Sequence, residues 1–149
     1  MAANDPRVLI IEDHDALRAM LFTILRYQPL GVDTAASAAE AMEKVMACDY
    51  ALILIDMNLV NEEAEEFIKE FHASRPEATT FIIAVRDPSK EVFIDPEMVS
   101  AILNKPLEID TLSAVVRECA IVVPPPEDPL PCPPAESDKP YDGDATLPN

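Results

Sequence analysis

The chain has 149 residues, of which 28 are acidic and 11 are basic, so its net charge is −17 at pH 7. This length suffices for one domain and a tail, and a core of that size folds without metals or disulfides. The negative charge argues against nucleic acid and anionic membranes as partners, and no apolar run approaches the roughly 20 residues that cross a bilayer.

The three cysteines are far apart in the sequence and form no C-x-x-C or neighbouring histidine pattern. They are Cys48, Cys119 and Cys132. Their spacing indicates neither a disulfide framework nor a zinc site. The first residues lack the charged and apolar segments of a secretory signal. We therefore expect a cytoplasmic protein with unpaired cysteines.

Short apolar segments alternate with segments of helical periodicity along the first 120 or so residues. Five segments rich in β-branched or apolar residues are predicted strands, namely 7–11, 31–35, 51–55, 80–85 and 100–104. Strands that are almost continuously apolar are typical of a parallel sheet covered on both faces by helices. The pattern predicts a doubly wound α/β domain with five strands and a helix after each strand.

The segments between the predicted strands carry apolar residues three or four positions apart, as in helices that pack on a sheet. The second helix should begin at Ser37, because Glu40 follows it at the spacing of a capping box. Residues 87–98 should hold the fourth helix. Pro96 would interrupt it, so we expect this helix to be short or broken.

The C-terminal segment differs in composition from the rest of the chain. Nine of the 15 prolines follow Val123, and large apolar residues nearly vanish there. Such a segment buries too little apolar surface to offset the entropy of ordering it. We expect a domain over residues 1–122 and a disordered, acidic, proline-rich tail over residues 123–149.

Acidic residues follow two of the predicted strands at the point where each strand ends. In a doubly wound sheet the functional site lies at the carboxyl ends of the strands, where the strand order reverses. Carboxylates gathered there would repel one another, and a divalent cation with oxygen ligands, such as Mg²⁺, would relieve the repulsion. The predicted ligands are Asp13, Asp56, a main-chain carbonyl near Asn58 and, through water, Glu12.

A lysine follows the fifth predicted strand, in the sequence NKP. The ammonium of Lys105 could therefore reach the same edge and neutralise a phosphoryl group. An aspartate can attack phosphorus while Mg²⁺ and a lysine neutralise the transferring group. Taken alone, each acidic residue is more often a helix cap or a turn residue. Their combination with Lys105 predicts that Asp56 accepts a phosphoryl group.

With these residues in place, the sequence resembles the receiver domain of two-component response regulators from residue 7 to about residue 121. The resemblance rests on the segments VLIIEDHDALRAML, ALILIDMNL and ILNKPLEIDTL. It implies a flavodoxin-like fold with five parallel strands and five flanking helices. It also implies that a histidine kinase or phosphotransfer protein phosphorylates Asp56, that the Lys105–Pro106 bond is cis, and that a downstream protein is the target.

The sequence departs from the family at two switch positions. Receivers carry Ser or Thr at the end of the fourth strand and Tyr or Phe in the fifth, where this sequence aligns Ala84 and Ile102. A hydrogen bond to a charged group contributes roughly 1.5 to 3 kcal/mol, against about 5.5 kcal/mol for a complete population shift. Phosphorylation itself does not need either side chain. We therefore expect Ala84 and Ile102 to alter the conformational response to phosphorylation, and not phosphorylation itself.

Three functions follow from these residues. The first is a stand-alone receiver, not an enzyme, that takes a phosphoryl group on Asp56 and signals by protein contact. The second is a degenerate receiver that binds a protein regardless of phosphate, which Ala84 and Ile102 favour. The third is a haloacid-dehalogenase-like phosphatase, whose second aspartate is replaced here by Asn58. Without that general acid, the phosphatase ranks last.

Overall fold

The five predicted strands form one parallel sheet. The computed structural model describes residues 5–139 of the chain. The strands are β1 (Arg7–Ile11), β2 (Gly31–Ala35), β3 (Leu52–Asp56), β4 (Phe81–Arg86) and β5 (Ala101–Asn104). They lie in the order β2-β1-β3-β4-β5, and every neighbouring pair is parallel. The predicted doubly wound α/β architecture is confirmed.

Helices cover both faces of the sheet. The α-helices among the described residues are α1 (Asp15–Leu25), α2 (Ala38–Ala47), α3 (Glu63–Ser74) and α4 (Ile109–Val122). Helices α2 and α3 contribute to the core on one face, and α1 and α4 to the core on the other. Because both faces are covered, β3 is buried along its whole length and shows no polar alternation. Between residues 5 and 139, no helix has the length and apolar character needed to cross a bilayer.

Helix α2 begins where the sequence predicts. The Glu40 amide donates to Ser37 Oγ at 3.1 Å, and the Glu40 carboxylate accepts from the amide of Ala36 at 3.0 Å. Amides in the first turn of a helix have no partner within the helix, so side chains must accept their hydrogen bonds. The Ser37–Glu40 pair therefore fixes this end of the helix locally.

The prediction of a fifth flanking helix is wrong. Between β4 and β5, residues 87–100 contain turns and bends but no helix. The carboxylate of Asp87 accepts from the amide of Ser89, and that of Asp95 accepts from the amide of Glu97, each at 2.9 Å. Such local side-chain bonds offer the backbone an alternative to helical bonding. Two prolines in the segment also remove helical donors.

Of the predicted tail, 123–149, the structure describes residues as far as 139, and these lie against the domain. Residues 140–149 are outside the described part of the chain. Cys48 and Cys132 form a disulfide across 84 residues, so the expectation of unpaired cysteines is also wrong for these two, and Cys119 is free. A pairing over such a distance leaves no local spacing pattern to read. Helix α4 ends at Val122, and a domain boundary there stays a prediction.

Candidate functional site

Three carboxylates meet at the carboxyl ends of β1 and β3. The strand order reverses between these two strands, because β2 lies on one side of β1 and β3 on the other. Glu12 and Asp13 follow β1, and Asp56 is the last residue of β3. Each contributes an oxygen, and these oxygens lie within 4.8 Å of one another. The structure therefore brings together the acidic residues that the sequence singled out.

Glu12 is the most electrostatically perturbed of the three carboxyls. Burial, followed by a hydrogen bond to Asp56 and repulsion from its charge, raises the pKa of Glu12 to about 8. The amide of His14, which donates to Glu12 Oε2 at 3.2 Å, and the charge of Lys105 act in the opposite direction. At neutral pH the cluster thus retains a proton on Glu12 unless a cation replaces it.

This cluster fits a divalent cation. Its donors are carboxylate oxygens, which are the ligands that Mg²⁺ prefers in proteins. Glu12 is only 2% exposed and Asp56 only 7%, so water does little to screen their mutual repulsion. A cation bound at the oxygens of Glu12, Asp13 and Asp56 would supply the missing positive charge.

Lys105 reaches the same cluster from the end of β5. Its Nζ donates to Asp56 Oδ2 at 2.9 Å, with 28% of the lysine side chain and 7% of the aspartate exposed. The amide of Lys105 donates to the carbonyl of Arg86 at 2.8 Å, and the Lys105–Pro106 bond is cis, as the resemblance implied. The backbone after β5 is therefore held where the ammonium can face Asp56.

Asn58 supports the same aspartate through its backbone. Its amide donates to Asp56 Oδ1 at 2.9 Å, and its side-chain oxygen accepts from the amide of Asp87 at 3.0 Å. These two bonds tie the turn after β3 to the turn after β4. The predicted use of the Asn58 carbonyl as a metal ligand stays a prediction.

The loop after β3 contacts the acidic cluster and has an unusual backbone. Asn61 and Glu62 both have φ of 57°, in the left-handed region that disfavours residues with a Cβ atom. The amide of Val60 donates to Asp13 Oδ2 at 3.3 Å, which links this loop to the acidic residues after β1. Backbone strain of this kind often accompanies functional sites.

The register of β4 does not put Ala84 at the end of that strand, where the prediction assumed it. Val85 is the residue that pairs with Asp56, and the strand continues to Arg86. Ala84 is fully buried in the core under α2 and α3. The residue at the carboxyl end is Arg86, whose Nε donates to Asn104 Oδ1 at 2.9 Å.

The sequence contains only an indirect signal for Arg86 at the end of β4. The following Asp-Pro pair marks a turn, so the strand could have been extended to the residue before it. Ile102 pairs with Ala84 and is 37% exposed on β5. Its role as a switch position stays a prediction.

The sequence of this chain matches the model of one protein family. The family model described as the response regulator receiver domain matches residues 8–117. Those residues include Glu12, Asp13, Asp56 and Lys105. A search of the curated proteins gives no match.

Solved structures of receiver domains share the fold. A CheY-like receiver domain protein from Methanospirillum hungatei JF-1 has a TM-score of 0.65 at 24% identity, covering 77% of this chain and 93% of that chain. A CheY-like receiver domain from Methylobacillus flagellatus has a TM-score of 0.68 at 22% identity, covering 78% and 99%. Response regulator TrrA from Thermotoga maritima, in complex with Mg²⁺ and BeF, has a TM-score of 0.66 at 21% identity, covering 76% and 98%. The family match and the shared fold together show that this chain belongs to the receiver domains of two-component response regulators.

Proposed function

We propose that Asp56 accepts a phosphoryl group from a histidine kinase or phosphotransfer protein and that the domain then signals by contact with a downstream protein. One observation carries this proposal: Lys105 Nζ lies 2.9 Å from Asp56 Oδ2, at the rim where Glu12 and Asp13 also lie. A buried nucleophile flanked by one ammonium and two further carboxylates is equipped for phosphoryl transfer.

Mg²⁺ is the cofactor we assign to the site. Glu12, Asp13 and Asp56 would hold it with their carboxylate oxygens, and Asn58 with its main-chain carbonyl. When bound, the ion neutralises charge on the phosphoryl oxygens as the group is transferred. The raised pKa of Glu12 supports this assignment, because a cation offers the charge balance that a proton otherwise provides.

The residues of the chain divide the remaining work. The Asn58 amide and the Lys105 ammonium each hold one oxygen of Asp56, which fixes the plane of the carboxylate. A carboxylate oxygen attacks phosphorus, the bond between phosphorus and the donor's imidazole nitrogen breaks, and the imidazole regains a proton. Lys105 can then bind an oxygen of the transferred group.

The partners we propose are proteins in the cytoplasm. The net charge of −17 makes nucleic acid a poor partner. Phosphoryl transfer requires a donor histidine at the acidic rim, so the kinase or phosphotransfer protein must dock over the loops that follow β1, β3 and β5. The downstream target would recognise the surface that changes when Asp56 carries the group.

A phosphate-independent binding module is the second candidate. It is favoured by one observation: Ile102 is exposed on β5, and residues 87–100, which precede this strand, form no helix. An aliphatic side chain in that place gives no hydroxyl or large ring to reorient on phosphorylation. Under this alternative, the same surface would bind its target with or without phosphate.

Incubation with Mg²⁺ and acetyl phosphate or phosphoramidate, followed by intact-mass analysis, tests the first candidate. The wild-type chain should gain the mass of one phosphoryl group, whereas Asp56→Ala should gain none. Asp128→Ala serves as the matched control, because this exposed aspartate lies in a segment that contacts Asp49 and Thr79, at the opposite end of the strands from the acidic rim. No gain in wild type, although it binds Mg²⁺, would favour the phosphate-independent module.

A further inference from the structure

Residues 124–139, which we call the strap, run from the end of α4 along the side of the domain. The carbonyl of Pro124 accepts from Thr79 Oγ1 at 3.3 Å, and the amide of Leu130 donates to Asp49 Oδ2 at 2.7 Å. Further along, Ala135 is only 2% exposed. The strap therefore touches the domain at several separate places.

The strap ends on the free edge of the sheet. Strand β2 lies at that edge, so the amides on its outer side have no strand to pair with. The amide of Val32 donates to Ser137 Oγ, and the amide of Thr34 donates to Glu136 Oε1, each at 2.8 Å. The strap thus satisfies an edge that would otherwise be open to water or to another chain.

Charged side chains of the domain bind Glu136 at this edge. Its carboxylate accepts from Lys44 Nζ at 2.8 Å, and its amide donates to Asp33 Oδ1 at 2.8 Å. Asp33 is 3% exposed and also accepts from Arg7 Nε at 2.9 Å and from the Tyr50 hydroxyl at 2.6 Å. The strap therefore docks on side chains that the rest of the domain already holds in position.

One covalent bond joins the strap to the domain between these contacts. Cys132 is disulfide-bonded to Cys48, the residue that follows α2. Cys48 is only 3% exposed, whereas Cys132 is half-buried. An incoming thiolate can therefore approach the sulfur of Cys132 more readily than that of Cys48.

We infer that the strap is latched by redox chemistry: the Cys48–Cys132 disulfide holds residues 124–139 on the β2 edge, and its reduction releases them. A thiolate of an external dithiol attacks Cys132 Sγ, forming a mixed disulfide and releasing Cys48 as a thiolate that takes up a proton. The second thiol of the dithiol then attacks the other sulfur of the dithiol, the one that is bonded to Cys132 in the mixed disulfide. This step releases Cys132 as a thiol and leaves the dithiol as a cyclic disulfide.

The non-covalent contacts explain why reduction would release the strap. Most of residues 124–131 are exposed, and the few hydrogen bonds of this stretch do not form a regular ladder. Once the disulfide is open, the hydrogen bonds and the ion pair of Glu136 must hold the segment without a covalent bond. If the domain is cytoplasmic, as proposed above, such a disulfide is expected to be transient and responsive rather than permanent.

Thiol counting by alkylation and intact mass tests the latch itself. The full chain, equilibrated with oxidised dithiothreitol and then unfolded, should react with iodoacetamide at one cysteine, Cys119. After reduction with dithiothreitol it should react at three. Three reactive cysteines after the oxidising treatment would overturn the inference, because no latch would form.

Amide hydrogen exchange, followed residue by residue by NMR, tests the release. Reduction of the wild-type chain should speed exchange at Val32 and Thr34 by about tenfold or more beyond any change in the central strand β3. Exchange at Ile53 and Leu54, in that strand, follows global unfolding and should speed up only as far as loss of the cross-link lowers the free energy of unfolding. Equal changes at the edge and the centre, or no change at the edge, would overturn the inference.

Two variants separate the latch from general loss of stability. Cys132→Ser should exchange at Val32 and Thr34 like the reduced wild type, and dithiothreitol should alter it no further. Glu127→Gln, an exposed strap residue of the same charge type as Glu136, should respond to dithiothreitol like the wild type. If Cys132→Ser does not fold, the reduced wild type supplies the same comparison. A Cys132→Ser chain with the slow exchange of the oxidised wild type would contradict release by reduction.

Discussion

Asp33 and Asp56 are both buried aspartates, 3% and 7% exposed, but their surroundings differ in charge. Around Asp33 every acid contacts a base, since Asp33 pairs with Arg7 while Glu136 and Glu40 share Lys44, so the charges nearly balance. Around Asp56 three acids share a single neighbouring base, Lys105. Removing one partner of a buried ion pair leaves an uncompensated charge and destabilises the fold, whereas an unbalanced acidic cluster is a candidate site for a cation.

The neighbouring side chains show the same contrast. Burial, a hydrogen bond to Asp33 and the charge of Asp33 raise the pKa of the Tyr50 phenol, which favours the neutral form that donates to Asp33. Near Asp56 the corresponding rise affects Glu12, whose pKa of about 8 lies within the working range of proteins. The two buried aspartates thus differ in their neighbours: the raised pKa keeps the phenol beside Asp33 neutral, whereas the raised pKa of Glu12 beside Asp56 lies near neutral pH.

The largest effect should come from breaking the balanced cluster. Asp33→Ala leaves the Arg7 guanidinium, 15% exposed, without its main partner, and should lower the free energy of unfolding by about 3–5 kcal/mol. Urea unfolding measures this loss. Asp56→Ala is the matched variant, and because it also relieves repulsion it should cost clearly less. Equal losses in the two variants would contradict the contrast between the clusters.

Opening the disulfide beside the balanced cluster should have the next largest effect. Cys132→Ser removes a cross-link over 84 residues and should lower the free energy of unfolding by about 2–4 kcal/mol. Thermal unfolding under oxidising conditions gives the comparison with wild type. Cys119→Ser, which alters the free and half-buried cysteine, is the control and should change stability much less.

The pH dependence of Mg²⁺ binding probes the unbalanced cluster. Because the folded pKa of Glu12, about 8, exceeds its ordinary value of 4.5, folding of the metal-free chain takes up a proton between these pH values. The stability due to Glu12 is thus fully present below pH 4.5 and is lost as pH rises to about 8. Mg²⁺ affinity should rise over the same window, since the ion competes with that proton.

Calorimetric titration with Mg²⁺ at several pH values measures this dependence. In Glu12→Gln the affinity should be weaker and its slope with pH flatter, because the competing proton is gone. Glu127→Gln, an exposed acid on the strap, should retain the wild-type slope. An affinity independent of pH in the wild type would mean that Glu12 does not hold the proton.

The smallest expected effect concerns the loop beside Asp56, where Asn61 and Glu62 have a positive φ. No described residue of the strap has a positive φ. Glu62→Gly removes the Cβ atom at a φ of 57° and should raise the free energy of unfolding by about 1 kcal/mol. Glu63→Gly is the matched control, because Glu63 has an ordinary helical φ of −65° and glycine there should destabilise the chain. Chemical denaturation distinguishes the two signs.

Much of the acidic site could be predicted because it depends on local patterns. Apolar runs of about five residues identify the strands, and the carboxyl ends of parallel strands share one edge. Glu12, Asp56 and Lys105 each stand at or just past such an end, so their meeting follows from strand direction alone. The exact end of β4 depended on pairing with β3, which is why Ala84 was misplaced and Arg86 passed over.

Other features could not be predicted because competing local interactions decide them. Residues 87–100 have helix-forming residues, but side-chain bonds of Asp87 and Asp95 close turns instead. The proline-rich composition of the strap suggested disorder, since it contains few apolar residues to bury. Its order comes instead from hydrogen bonds and a disulfide to the domain.

The sequence by itself determined the strands, their parallel arrangement and the acidic rim, because the periodicity of apolar residues and the direction of the chain contain that information. Only the tertiary structure decided that basic side chains compensate the charge of the Asp33 cluster and that the strap covers the β2 edge. Those outcomes depend on residues far apart in the chain, such as Cys48 and Cys132, 84 positions apart, and Val32 and Ser137, 105 positions apart. No local pattern encodes such distant pairs, because their contact exists only once the sheet has brought them together.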